Sequence, residues 1–144
     1  MRELLRFKIN NDFEDLKILN RSVRTFLGTI NISSKTIYKV NLILEEMITN
    51  IIKYGYDDNE KHEIEVNINI SSEHIRVRII DDGNEFDSAM SPNPDTDIPL
   101  EKMRIGGLGI YLVKNISNNI KYKRYKNKNV LRVKIYTSDE SEQG

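Results

Sequence analysis

The sequence predicts a two-layer α/β sandwich, with a mixed, mostly antiparallel sheet covered on one face by helices. Three observations predict it. Leu16, Leu19, Val23, Phe26 and Ile30, and then Ile37, Val40, Leu44, Met47, Ile48 and Ile51, recur at helical spacing. Ile64, Val66, Ile68 and Ile70, then Ile75, Val77 and Ile79, alternate with polar residues around the turn Ser71-Ser72-Glu73, as a hairpin with one covered face does. The chain has 144 residues, 38% of them hydrophobic, enough for one core and one domain.

The elements follow in order. Leu5, Phe7 and Ile9 alternate as a short first strand. Asn11-Asp12, with Asp15 three residues beyond Asp12, offers a helix start, and Gly28 lies near that helix's end. Ser33 or Ser34 caps the second helix, and Gly55 closes it. Residues 57–61 are a polar turn before the hairpin. The second strand of the hairpin runs into Asp81-Asp82-Gly83. Residues 83–105 hold all three prolines and no periodicity, a length of loop that in a small domain marks a lid or binding loop. Gly106-Gly107-Leu108-Gly109 opens a third helix reaching about Asn118. Strands near 120–125 and 129–136 follow, joined by Lys126-Asn127-Lys128. The expected domain is 1–138, with 139–144 a frayed acidic tail.

Composition excludes several classes. There is no cysteine, so no disulfide framework, thiolate metal site or cysteine nucleophile. Two histidines, His62 and His74, make a multi-histidine metal site a poor expectation. No run approaches the roughly 18 apolar residues of a membrane span, and the first residues carry charge where a signal peptide needs apolar ones. The expected address is the cytoplasm, with no membrane partner. Basic and acidic residues balance at 22 each, which argues against a nucleic-acid partner. They are unevenly spread: residues 41–101 hold 4 basic and 15 acidic side chains, and residues 102–138 hold 10 basic and no acidic ones. Such blocks suit an anionic ligand or two faces attracting each other within one fold.

Three spots carry chemistry. Glu46, Asn50 and Lys53 fall on one face of the second helix at about 100° per residue, close to opposite its apolar stripe. Asn50 can offer a neutral oxygen to a hard cation such as Mg²⁺, and Glu46 can accept a proton from a hydroxyl. Alone, such a triplet is far more often an ordinary solvated helix face. Asp81-Asp82-Gly83 ends a strand in a sharp turn. It also suits a carboxylate that accepts from an exocyclic amine such as that of adenine, with Gly83 letting the backbone pass close to a flat base. Gly106-Gly107-Leu108-Gly109 exposes backbone N–H groups at the positive end of a helix dipole, and Arg104 precedes it with a fixed charge. No Gly-Lys-Ser/Thr follows, so this is not a Walker loop.

Order and spacing bind the three together. Glu46-x-x-x-Asn50 on a helix, Asp81-x-Gly83 at a strand end, a long loop, then Gly106-Gly107-Leu108-Gly109 on a helix resembles the ATP-binding fold of gyrase, the large heat-shock chaperones, histidine kinases and mismatch-repair ATPases, the GHKL superfamily with its Bergerat fold. Within it the chain most resembles the stand-alone anti-sigma-factor serine kinases. The resemblance rests on residues 46–56, 81–87 and 104–114, extends to 122–124 and 129–131, and so covers nearly the whole chain. It implies that Asn50 coordinates the Mg²⁺ bridging the ATP phosphates and that Glu46 stands in the place of the general base. It implies that Asp81 reads the adenine amino group with Gly83 beside the base. It puts Gly106, Gly107, Leu108 and Gly109 in a lid over the phosphates, Arg104 near that lid, and Lys53 within reach of a phosphate. Two positions depart from the pattern: Glu85 stands where the wider superfamily has a second glycine, and Tyr54 where many relatives carry His.

The resemblance implies an ATP- and Mg²⁺-dependent serine/threonine protein kinase that phosphorylates a small antagonist protein. It implies in addition that a sigma factor can be bound and that the chain can form a homodimer. The alternative is an ATP-binding regulatory module with little or no phosphotransfer, against which the Glu46 carboxylate stands. A catalytic fragment of a histidine kinase would call for a helical pair carrying a phosphoacceptor His, which the sequence does not contain.

Overall fold

The computed structural model describes residues 3–85 and 108–137. The elements run β1 (Glu3–Asn10), α1 (Phe13–Thr29), α2 (Ser34–Tyr54), β2 (Glu63–Ile70), β3 (His74–Asp81), α3 (Leu108–Ile116), β4 (Asn119–Tyr125) and β5 (Lys128–Tyr136). The five strands form one sheet in the order β1-β2-β3-β5-β4. Every neighbouring pair is antiparallel. The expected mixed sheet is therefore antiparallel throughout among the described residues.

Local chemistry sets the helix ends. The Asp12 carboxylate accepts from the Asp15 N–H at 2.7 Å, satisfying an orphan donor of α1, and the Asp15 carboxylate accepts in turn from the Asn10 N–H at 2.8 Å. Ser33, rather than Ser34, caps α2, its hydroxyl accepting from the Thr36 N–H at 3.2 Å. Gly55 ends α2, its N–H donating to the Ile51 carbonyl at 2.8 Å. A Cβ on Gly55 would come within 2.6 Å of that same carbonyl, so the close requires glycine. Helix α3 ends at Ile116, two residues earlier than the sequence reading. The β4–β5 turn puts both Lys126 and Asn127 at positive φ, 49° and 63°, the conformation of a tight two-residue hairpin.

All three helices cover one face of the sheet. Leu16, Leu19, Val23 and Leu27 of α1, Val40, Ile43, Leu44, Met47 and Ile48 of α2, and Ile110 and Val113 of α3 are buried against the inner-facing strand residues. Helix α2 packs between α1 and α3. That position decides the site. The polar face of α2, expected opposite its apolar stripe, is partly covered by α3, and Asn50 is only 8% exposed. Among the described residues, no helix is long and apolar enough to cross a membrane.

Candidate functional site

The C-terminal half of α2 and the ends of β3, β4 and β5 enclose a recess. Asn50 lines it from the helix, and Asp81, Asn129 and Tyr122 line it from the sheet. Met47, Ile79 and Leu131 give it an apolar lining. The sheet therefore brings Asn50 and Asp81, separate spots in the sequence, to opposite walls of one cavity.

Asp81 is 5% exposed at the carboxyl end of β3. Its Oδ1 accepts from the Gly83 N–H at 2.8 Å and from Asn129 Nδ2 at 2.9 Å. Among the described residues no donor reaches Oδ2. Burial pushes the Asp81 carboxyl above its ordinary value of 3.8, and the bonds from Asn129 and Gly83 hold part of that rise back. Gly83 is buried, and a Cβ there would meet the Gly55 carbonyl oxygen at 2.6 Å. The Asp81-Asp82-Gly83 turn and the end of α2 are pressed together at two glycines.

Apart from Gly83, the residues that hold Asp81 are ones the sequence reading gave no role. Asn129 pairs directly with Asp81 across the β3–β5 ladder and is 6% exposed. Its Nδ2 donates to Asp81 and to the Asn84 carbonyl at 2.8 Å, while its Oδ1 accepts from the Tyr122 hydroxyl at 2.7 Å and Arg124 at 3.0 Å. Arg124 donates to the Gly83 carbonyl at 2.8 Å. With both amide atoms of Asn129 satisfied, the buried network fixes the orientation of the Asp81 carboxylate. The segment after α2 clamps the turn from the other side. The Gly55 carbonyl accepts from the Asn84 N–H at 2.7 Å, and the Tyr56 hydroxyl donates to Asp82 at 2.9 Å. Burial and that bond push the Tyr56 phenol far above its ordinary range.

The Tyr56 ring stacks on His62 with centroids 3.9 Å apart, and His62 Nε2 bonds Asp58 at 2.8 Å. The Asp58 bond raises His62 above its ordinary value of 6.5. An NMR titration is expected to show His62 titrating above that value, and Asp58→Asn to bring it back down. Because the raised pKa stabilises the charged ring, this contribution to the clamp is full at acidic pH and is lost as pH rises through the raised value.

Glu46 lies one turn before Asn50, half-buried. Burial raises its carboxyl first, the neighbouring Glu45 raises it further, and Lys53 lowers it. Lys53 is exposed, so it acts on Glu46 as a solvated charge. Gly109, the second residue of α3, is buried against Glu46, and a Cβ there would clash with the Glu46 carboxylate. Leu108 is the first residue of α3. Arg104, Gly106 and Gly107 lie outside the described residues, as do most of the 83–105 loop and the 139–144 tail. Asn50 Nδ2 is buried with no hydrogen-bond partner. The orphaned N–H group calls for an acceptor such as a phosphate oxygen, and the Asn50 amide oxygen, four residues from a carboxylate on the same helix, is a donor atom of the kind a hard cation takes together with anionic oxygens.

Comparison with known proteins bears on the fold and the family. A serine-protein kinase RsbW from Oceanobacillus iheyensis is 31% identical over 93 residues, 62% of this chain. The match spans 59% of that protein's length. The crystal structure of the RsbU and RsbW domains of a Mycobacterium tuberculosis protein superposes with a TM-score of 0.62 at 10% identity, over 92% of this chain and 32% of the other. A chain of the SiaB–SiaC complex from Pseudomonas aeruginosa superposes with a TM-score of 0.60 at 18% identity, over 92% of this chain and 89% of the other. Both structures share the fold. The family model described as the histidine kinase-like ATPase domain matches residues 9–135. Running as it does from the first strand to the last, that match makes the chain a member of the histidine kinase-like ATPase domain family.

Proposed function

We propose that this domain binds ATP with Mg²⁺ in the recess and transfers the γ-phosphoryl group to a serine or threonine of a small antagonist protein. The single observation that carries the reading is the placement of Asn50 and Asp81 on facing walls of one recess, with the Asn50 amide unsatisfied and Glu46 one turn away. The serine-protein kinase name of the RsbW relatives supports the choice of acceptor.

In this reading Asp81 Oδ2 accepts from the adenine amino group, and Gly83 lets the base approach the backbone. Asn50 and the phosphate oxygens hold the Mg²⁺, which when bound supplies charge neutralisation. Glu46 accepts the proton of the acceptor hydroxyl, whose oxygen forms the new bond to the γ-phosphorus as ADP leaves. Arg104, Gly106, Gly107, Leu108 and Gly109 belong to the phosphate side, and Lys53 steers phosphate from solvent. A sigma factor and a second copy of the chain are further partners within the same proposal, in a cytoplasmic setting.

Calorimetric titration with ATP tests it. Mg²⁺ is expected to strengthen ATP binding, and Asn50→Ala to remove most of the Mg²⁺-dependent gain while leaving Mg²⁺-free binding nearly unchanged. No binding at millimolar ATP overturns the reading. Binding without transfer of radiolabelled phosphate to a serine-bearing partner leaves the regulatory-module alternative in its place.

A further inference from the structure

The face of the sheet away from the helices is built from the outward half of each strand. Its central residues fall in two transverse rows. In the first, Arg6, Asn67, Arg78, Arg132 and Lys121 stand side by side on β1, β2, β3, β5 and β4. In the second, Leu4, Asn69, Arg76, Lys134 and Asn119 do the same. Neighbours within a row are about 4.8 Å apart, and the rows about 6.8 Å. The two rows hold six cations and no carboxylate.

That arrangement costs the fold stability. Like charges directly opposite one another across a ladder repel, and Arg78, Arg132 and Lys121 are three in succession. Among the described residues no carboxylate lies within ion-pair distance of any of the six. Glu65, in the next row, accepts from Asn67 Nδ2 at 3.1 Å, and Lys134 sits over the Tyr136 ring at 5.4 Å. Between the cations lie two further unmet demands. Asn67 is 5% exposed, and its Oδ1 is buried without a donor, as is Asn69 Oδ1. A sequence that stacks cations in register and leaves buried acceptors open is shaped by something other than folding.

The two demands together define the missing partner. The cations call for anions at short spacing, and the amide oxygens call for N–H donors among them. A peptide with clustered Asp and Glu supplies both, through its carboxylates and its backbone. A phosphodiester backbone supplies acceptors only, and the two aromatic rings beside the rows, Tyr125 and Tyr136, are already covered by Lys123, Lys126 and Lys134 rather than open for a base to stack on. A second copy presenting the same face would set cations against cations. We propose that the open face of the sheet docks an acidic segment of a partner protein, its carboxylates on Arg76, Arg78, Arg132 and Lys121 and its N–H groups on Asn67 and Asn69. The face is remote from the nucleotide recess, so the proposal stands apart from the kinase reading.

Fluorescence anisotropy of a labelled oligo-glutamate peptide of about ten residues, titrated with the full chain at low salt, tests it. Saturable binding is expected, weakening steeply with added salt. Arg78→Gln with Arg132→Gln is expected to weaken it about 10-fold, taking about 0.7 kcal/mol per removed charge. Lys17→Gln with Lys35→Gln, exposed charges of the helical layer, is expected to leave it unchanged. Arg78→Gln alone is expected to raise the melting temperature by about 3 °C at low salt, a gain that vanishes at high salt. Four results overturn the proposal. They are no binding of the peptide by the wild-type chain, equal weakening by both double variants, tighter binding of a single-stranded oligonucleotide of equal charge through the same arginines, and a dimer in sedimentation that the arginine double variant dissolves.

Discussion

Asp81→Asn is expected to abolish nucleotide binding at concentrations where the wild type saturates, a loss of about 100-fold or more, while the chain stays folded. The internal bonds explain why the change is so damaging. An amide at residue 81 keeps the Gly83 and Asn129 bonds only by putting its oxygen where Oδ1 now sits. Its NH₂ group then points where Oδ2 was, a donor facing the donor of an exocyclic amine. The site loses a charge-assisted bond worth about 1.5–3 kcal/mol and gains an opposed pair. Stability moves the other way. Burial raises the Asp81 carboxyl, so the folded chain holds its proton more tightly than the unfolded one does. The carboxylate therefore costs stability that grows as pH rises from 3.8 through the raised value, and a neutral amide escapes that cost. A melting temperature at neutral pH equal to or above wild type, with binding lost, is the expected pair of results. Unchanged binding in calorimetry sinks the assignment of Asp81. The same carboxyl gives the wild type a pH signature. Nucleotide affinity is expected to fall on acidification before an ordinary carboxyl would protonate, as the acceptor becomes a donor.

Glu46→Gln is expected to reduce phosphoryl transfer about 10³-fold with ATP affinity changed by no more than about threefold, since a positioned base contributes roughly 10²–10⁴ to rate and little to ground-state binding. Gly109→Ala is expected to reproduce much of that loss without touching any ionisable group. Its methyl group would occupy the space of the Glu46 carboxylate, which must swing away from α3. Single-turnover assays with a serine-bearing partner separate the two steps. Should Gly109→Ala transfer phosphate at the wild-type rate, the packing of Glu46 on α3 has no part in the chemistry. Gly109 thus acts through the carboxylate it touches.

What the sequence made legible was local. Asp12, Ser33 and Gly55 mark helix ends because a cap is settled within four residues. The alternation of Ile64–Ile70 and Ile75–Ile79 placed β2 and β3 because a strand's period is written along its own length. Asn129 could not be read that way. Its tie to Asp81 spans 48 residues and exists only through the β3–β5 register. The residues 122–124 and 129–131 carried a resemblance, but no pattern within them says that Asn129 bonds a carboxylate on another strand. The polar face of α2 failed for a related reason. Helical periodicity puts Asn50 away from the apolar stripe, and only the assembled fold shows it lining a recess against the ends of β3 and β5, with α3 packed on Glu46 beside it. The cationic rows share this limit: Arg76 and Arg78 are visibly outward in β3, but their alignment with Lys134 and Arg132 is a property of the ladder.

The Asp81–Asn129 pairing has a consequence for biosynthesis. During translation β3 emerges well before β5, and in that interval the row of backbone N–H and C=O groups on its β5-facing edge has no neighbour to pair with. A nascent chain arrested before residue 128 carries an open strand edge of the kind that recruits other strands. It also carries Asp81 without the amide that orients it. Ligand protection then becomes a clock for maturation: nucleotide added to ribosome-bound chains carrying C-terminal linkers of increasing length would slow proteolysis only once the linker lets β5 clear the exit tunnel.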